Sequence, residues 1–90
     1  MVNRWRVEIR NEAVDELKAL DQSVAQRIMK KLRWLSENFE AIVPEPLTGS
    51  FKGTYKLRAG AYRIIYAIDR QREVIVVISV GHRKDIYEEG

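Results

Sequence analysis

From Thr54 to His82 the chain alternates as three consecutive strands, Thr54 to Arg58, Ala61 to Asp69 and Glu73 to about His82, with only Ala59-Gly60 and Arg70-Gln71-Arg72 between them. Junctions this short join antiparallel neighbours, because a parallel return needs a crossover of a dozen or more residues. The C-terminal half is therefore committed to an antiparallel meander. A sheet of this size has one apolar face to bury, and the residues that bury it must come from the N-terminal half.

That half supplies a strand and two helices. Val2 to Ile9 alternates, with Trp5, Val7 and Ile9 on one face and Arg4, Arg6 and Glu8 on the other, as expected of a half-buried strand. Asn11 is placed to cap a first helix whose apolar positions are Ala13, Val14, Leu17 and Leu20, and the early acids Glu12, Asp15 and Glu16 suit the positive end of its dipole. Asp21 can cap a second helix, in which Val24, Ile28, Leu32, Leu35 and Phe39 form a stripe at helical period. Trp34 lies outside that stripe and is expected to be partly exposed. Pro44 and Pro46 end helical structure and open a loop running through Gly49 and Gly53. The expected fold is α+β, in the order βααβββ, with a helical hairpin packed on one face of a small, largely antiparallel four-stranded sheet. At 90 residues, the chain is expected to be a single domain over residues 1–90.

Composition narrows the chemistry. Hydrophobic residues at 46% and charged residues at 32% are the balance of a folded domain rather than a disordered one. The absence of cysteine excludes disulfides and a thiol nucleophile and suits a cytoplasmic location. With one histidine besides, it argues against a zinc site, and neither metal nor cofactor is expected. The longest nearly apolar run, Val74 to Val80, is too short to cross a bilayer, and no signal peptide is seen at the charged N-terminus. No membrane partner is expected. Gly49 to Thr54 lacks the spacing of a phosphate-cradling loop, and no Ser-His-Asp order supports acyl transfer.

The net charge of +3 is unevenly spread. Between Glu45 and Asp69 there is no acid, while Lys52, Lys56, Arg58 and Arg63 fall in that window. Strand parity sharpens the point, since alternate residues face opposite sides. If Tyr55, Leu57, Tyr62, Ile64, Tyr66 and Ile68 face the helices, then Lys56, Arg58 and Arg63 emerge together on the other face. Ser79, Gly81 and Arg83 share one parity, so Arg83 can join them over a floor of small residues. His82 has the opposite parity and reads first as a structural histidine unless a bulge resets the strand. Tyr87 is close enough in sequence to fold over the basic face. Arg27, Lys30, Lys31 and Arg33 read as a solvated helix face that can also meet RNA or a protein partner.

Three stretches, Leu47-Thr48-Gly49 with Gly53-Thr54-Tyr55-Lys56-Leu57-Arg58, then Gly60-Ala61-Tyr62-Arg63-Ile64-Ile65-Tyr66, then Val80-Gly81-His82-Arg83-Lys84-Asp85-Ile86-Tyr87, together resemble toxins of the RelE/ParE superfamily, RelE-like branch. The resemblance spans nearly the whole chain. It implies a toxin of a type II toxin-antitoxin pair, silenced by a cognate antitoxin protein, and for the RelE branch a metal-independent endoribonuclease that cuts messenger RNA in the ribosomal A site. It also implies roles for single residues: Lys56, Arg63, Arg83 and Tyr87 as catalytic, Arg58 and the nearby Lys52 as substrate-binding. The family's lysine at the start of the second strand is replaced here by Thr54, which leaves the general base open among Lys56, His82 and another group.

Such a cluster can carry transesterification, in which a 2′-OH attacks the adjacent phosphate and arginines aimed at its oxygens stabilise the charge that builds there. Two other functions fit the same scaffold. One is ParE-like poisoning of DNA gyrase. The other is a non-catalytic nucleic-acid or antitoxin-binding module, for which the cations only hold phosphates.

Overall fold

The computed structural model of the chain describes residues 5–82. Strand β1 is Arg6–Ile9, followed by helices α1, Asn11–Lys18, and α2, Gln22–Asn38. A 3-10 turn at Phe39–Ala41 leads to β2, Glu45–Pro46, and a second at Gly49–Phe51 precedes β3, Tyr55–Ala59, β4, Tyr62–Asp69, and β5, Val74–His82. The sheet order is β1-β5-β4-β3-β2. Strand β1 runs parallel to β5, and the other pairings are antiparallel.

The α+β class and helical hairpin are as expected, and the sheet gains a fifth strand. The segment read as loop after Pro44 contributes Glu45 and Pro46, which pair with Lys56 and Tyr55. Proline has no N–H to give a ladder, and Pro46 is accommodated because β2 is an edge strand. The N-cap of α1 is Arg10 rather than Asn11, and Asp21 caps α2 by position without a side-chain bond.

The helices bury their stripes against one face. Ala13 of α1 and Ile28 and Leu32 of α2 pack with Ala59, Ile64, Val77 and Val80 of the sheet. A second cluster joins Trp5, Leu35, Phe39, Tyr66 and Ile75, with the Trp5 and Phe39 rings 4.6 Å apart and Tyr55 stacked on Tyr66 at 5.8 Å. The Trp5 indole donates to Glu40 Oε2 at 2.8 Å, which satisfies the one polar atom of a buried ring. Trp34 is 41% exposed, with the Lys31 ammonium 4.5 Å from its ring centre. No helix among the described residues is long and apolar enough to cross a membrane.

Val77 and Val80 both reach the core, although three residues apart on one strand. The register explains this: Ile65 pairs with Ser79 but Tyr66 with Val77, so Ile78 is an extra residue that resets the alternation. Beyond Val77 strand β5 has lost its β1 neighbour, and α1 covers the gap. Glu16 accepts the Val80 N–H at 2.8 Å and the Ser79 hydroxyl at 3.1 and 3.2 Å. One carboxylate thus takes over from a missing strand.

Candidate functional site

The basic cluster is built by the β3–β4 hairpin. Gly60 sits at its turn with φ of 64°, a left-handed conformation that glycine adopts without steric cost. The tight turn sets Arg58 directly opposite Arg63 and Lys56 opposite Ile65, so all three cations project from the face away from the helices. They line one small cavity of about 60 Å³ together with Glu45 and Leu57. Three residues named from parity are therefore brought together.

Their environments differ. Arg58 is exposed, whereas Arg63 is half-buried and its Nε is withdrawn from solvent. The Lys56 side chain is 21% exposed, and its Nζ lies 3.6 Å from Oε2 of Glu45. Two guanidinium groups on directly opposed residues repel each other and destabilise the pair. Lys56 faces no opposed cation, since its register partners are Ile65 and Glu45. The floor beside Arg63 is Gly81, its partner on β5, which has no side chain to fill the space. The opposite face is not bare throughout, since Ile65 on it is only 1% exposed.

The remaining candidates fall elsewhere. Lys52 is exposed on the turn before β3 and does not line the cavity. His82 pairs with Tyr62, and the two rings meet edge-on at 5.4 Å. That places His82 on the helix side, because the Ile78 bulge leaves Gly81, not His82, on the Arg63 face. Arg83 and Tyr87 lie outside the described residues.

Glu45 is the group that sequence reasoning missed. It stands at the edge of the acid-free window and was hidden by its flanking prolines, which read as connection rather than strand. Its charge reaches further than Lys56. Tyr66 is pushed up to about 12 from its ordinary value of 10.0, first by burial and then by the neighbouring Tyr55 and Glu45.

What this arrangement can do chemically is hold a phosphodiester. Arginines present paired donors that match phosphate oxygens, and a partly enclosed cavity strengthens such contacts relative to open water.

Residues 7–87 match the family described as the ParE toxin of a type II toxin-antitoxin system, parDE. A RelE-like toxin protein of Escherichia coli is 32% identical over 88 residues, covering 93% of this chain and 90% of that protein. The fold superposes on the toxin-antitoxin complex RelBE2 of Mycobacterium tuberculosis with a TM-score of 0.80 and 29% identity, over 94% of this chain and 97% of the other. The isolated RelE toxin of Escherichia coli gives a TM-score of 0.69 and 26% identity, over 87% and 83% of the two chains. With its basic hairpin, mixed sheet and covering helices, the chain belongs to the RelE/ParE superfamily of type II toxins and is RelE-like.

Proposed function

We propose that the chain is an endoribonuclease that cuts messenger RNA in the ribosomal A site and so inhibits translation, held inactive by a cognate antitoxin. The observation that carries this reading is the convergence of Lys56, Arg58 and Arg63 on one cavity. A like-charged pair set face to face costs stability, and a bound phosphate is the occupant that reverses the cost.

The reaction is internal transesterification. The 2′-oxygen attacks the adjacent phosphorus, the bond to the 5′-oxygen of the next nucleotide breaks, and a 2′,3′-cyclic phosphate and a 5′-hydroxyl result. Arg63, half-buried, is the better preorganised donor to the phosphoryl oxygens, and Arg58 holds the neighbouring backbone. The attacking hydroxyl gives up its proton to a group in the cavity, and the leaving oxygen takes one. Arg83 and Tyr87 enter the proposal through the family resemblance, as a further phosphate donor and as the group that stacks on a base or protonates the leaving oxygen. No step is assigned to a metal.

The test is to incubate a defined message with the protein, with and without translating ribosomes, and to map new 5′ ends. Codon-phased cuts that require ribosomes support the proposal. The match to the ParE family favours a second reading, gyrase poisoning, which predicts no RNA ends and stalled replication in cells. Steeply salt-dependent RNA binding without products would mark a module that only holds phosphates.

A further inference from the structure

Gly81 forms the floor beside Arg63 only while strand β5 lies flush against β4 as far as its end, and β5 is supported unevenly. Up to Val77 it runs between two strands, with β1 paired on one side and β4 on the other. From Ser79 to His82, the stretch opposite Ile65 to Tyr62, only the β4 pairing continues. This stretch also follows the extra residue at Ile78, where the ladder is interrupted. A one-sided segment beyond a bulge is a place where a sheet opens locally unless its outward backbone groups are tied.

Glu16 supplies the tie. Its Oε1 accepts the Val80 N–H at 2.8 Å and the Ser79 hydroxyl at 3.1 Å, and its Oε2 accepts the same hydroxyl at 3.2 Å. Hydrogen bonds to an ionised acceptor are stronger than those between neutral groups, and these are made one and two residues from Gly81. The carboxylate is half-buried and belongs to the last turn of α1, Asn11–Lys18, where the helix dipole disfavours an acid. Stability of the helix itself therefore does not account for an acid at this position. Ala13, one turn earlier on α1, shares a core cluster with Val80. Helix α1 thus grips the end of β5 through an apolar contact and a charged hydrogen bond together.

The residue that depends on this grip is Arg63. It pairs with Gly81, it is half-buried, and its Nε is withdrawn from solvent. A donor lowers a barrier only when it is already aimed at the charge that will develop, and a misplacement of about 1 Å can cost about 10²-fold in rate. We propose that Glu16 is a positioning residue for the cation cavity: by fixing Ser79 and Val80 from α1, it keeps Gly81 beside Arg63 and the Arg63 guanidinium aimed at the phosphate. Glu16 itself touches no substrate atom. The proposal rests on the nuclease reading of the cavity and adds that the helical layer sets the cavity's geometry.

The test uses the full chain, in excess and at saturation, on a defined message with translating ribosomes. Single-turnover cleavage and RNA affinity are measured separately, and exchange of the Arg63 Nε–H is followed by NMR, all under conditions where urea titration shows each variant folded. Glu16→Ala is expected to lower the saturated cleavage rate by about tenfold or more, to change RNA affinity by less than about threefold, and to speed exchange of the Arg63 Nε–H. Glu16→Gln, which keeps an acceptor oxygen, restores both rate and protection. Where Glu16→Ala does not fold, Glu16→Asp is read in its place, since it keeps the charge but falls one methylene short, and the same losses are expected. Ile28→Val, a small deletion in the core on α2 that loosens packing without touching the tie, is expected to leave rate and exchange at their wild-type values. A folded Glu16→Ala protein that cleaves at the wild-type rate or keeps Arg63 protected, a loss equalled by Ile28→Val, or a loss confined to RNA affinity would each overturn the proposal and leave the nuclease reading standing. A wild-type chain that yields no RNA ends overturns the nuclease reading and this proposal with it.

Discussion

Oε2 of Glu45 lies 3.6 Å from Nζ of Lys56, across a register pair at the edge of the sheet and inside the cavity that Arg58 and Arg63 also line. Glu45 is the one acid among the lining residues of that cavity. On the proposed nuclease reading, Glu45 is the candidate proton acceptor within the cavity and Lys56 a candidate contact for the phosphate. Glu45→Gln is therefore expected to lower the cleavage rate by about 10²–10⁴-fold, the usual contribution of a positioned general base, with RNA affinity kept or increased. Single-turnover cleavage and binding, measured side by side, check this. A Glu45→Gln variant that cleaves as fast or faster would exclude Glu45 and leave the base among Lys56, His82 and another group.

Arg58 and Arg63 face each other across the hairpin but are not equivalent, one being exposed and the other half-buried. Arg63→Ala is expected to reduce cleavage by about 10²–10³-fold, as loss of one preorganised transition-state donor does. Arg58→Ala is expected chiefly to weaken RNA binding and flatten its salt dependence. It should also raise thermal stability slightly, by about 0.2–1 kcal/mol, because a like-charge pair is relieved. Circular dichroism melting of both variants, alongside cleavage, separates the two roles. Equal losses of activity with no stability gain would contradict the assignment.

Most of the basic cluster was legible because a hairpin obeys two local rules. Ala59-Gly60 fixes the turn, and the period of two then decides that Lys56, Arg58 and Arg63 share a face. The helical stripe from Val24 to Phe39 was legible for the same kind of reason, since its spacing shows one side to bury. Glu45 was not, because a two-residue strand has no period to read and its flanking prolines are ordinary loop signals. The parallel pairing of β1 with β5 and the extra residue at Ile78 were also beyond local patterning. Val74 to Val80 is nearly continuous in apolar character, so no alternation marks where the face switches. Only the pairing with β4 shows it.

Glu16 holds β5 just beyond that switch. Its carboxylate accepts both the Val80 N–H and the Ser79 hydroxyl where β5 has no strand on that side. Removing the acceptor leaves a partly buried backbone donor unsatisfied, so Glu16→Ala is expected to cost about 1–3 kcal/mol. Glu16→Gln, which keeps an acceptor oxygen, is expected to recover most of it. Urea denaturation of the three proteins measures the difference. If Glu16→Ala unfolds with an unchanged midpoint, the carboxylate is not what holds this part of β5.

Tyr66 carries the one clear titration shift among the described residues. It is fully buried and its phenol is pushed up to about 12, by burial first and then by Tyr55 and Glu45. Between its ordinary value of 10.0 and about 12, the unfolded chain has released this proton while the folded chain keeps it. The unfolded state therefore binds fewer protons, and unfolding free energy falls as pH rises. The contribution of the phenol is complete below pH 10 and is lost as pH climbs toward 12. Tyr66→Phe has no proton to lose, so its stability is expected to fall less steeply over that window, by an amount on the order of 2 kcal/mol at the upper end. Urea midpoints at pH 8, 10 and 11.5 for both proteins provide the measurement. Parallel decline of the two would show that other groups, not Tyr66, govern the alkaline limit.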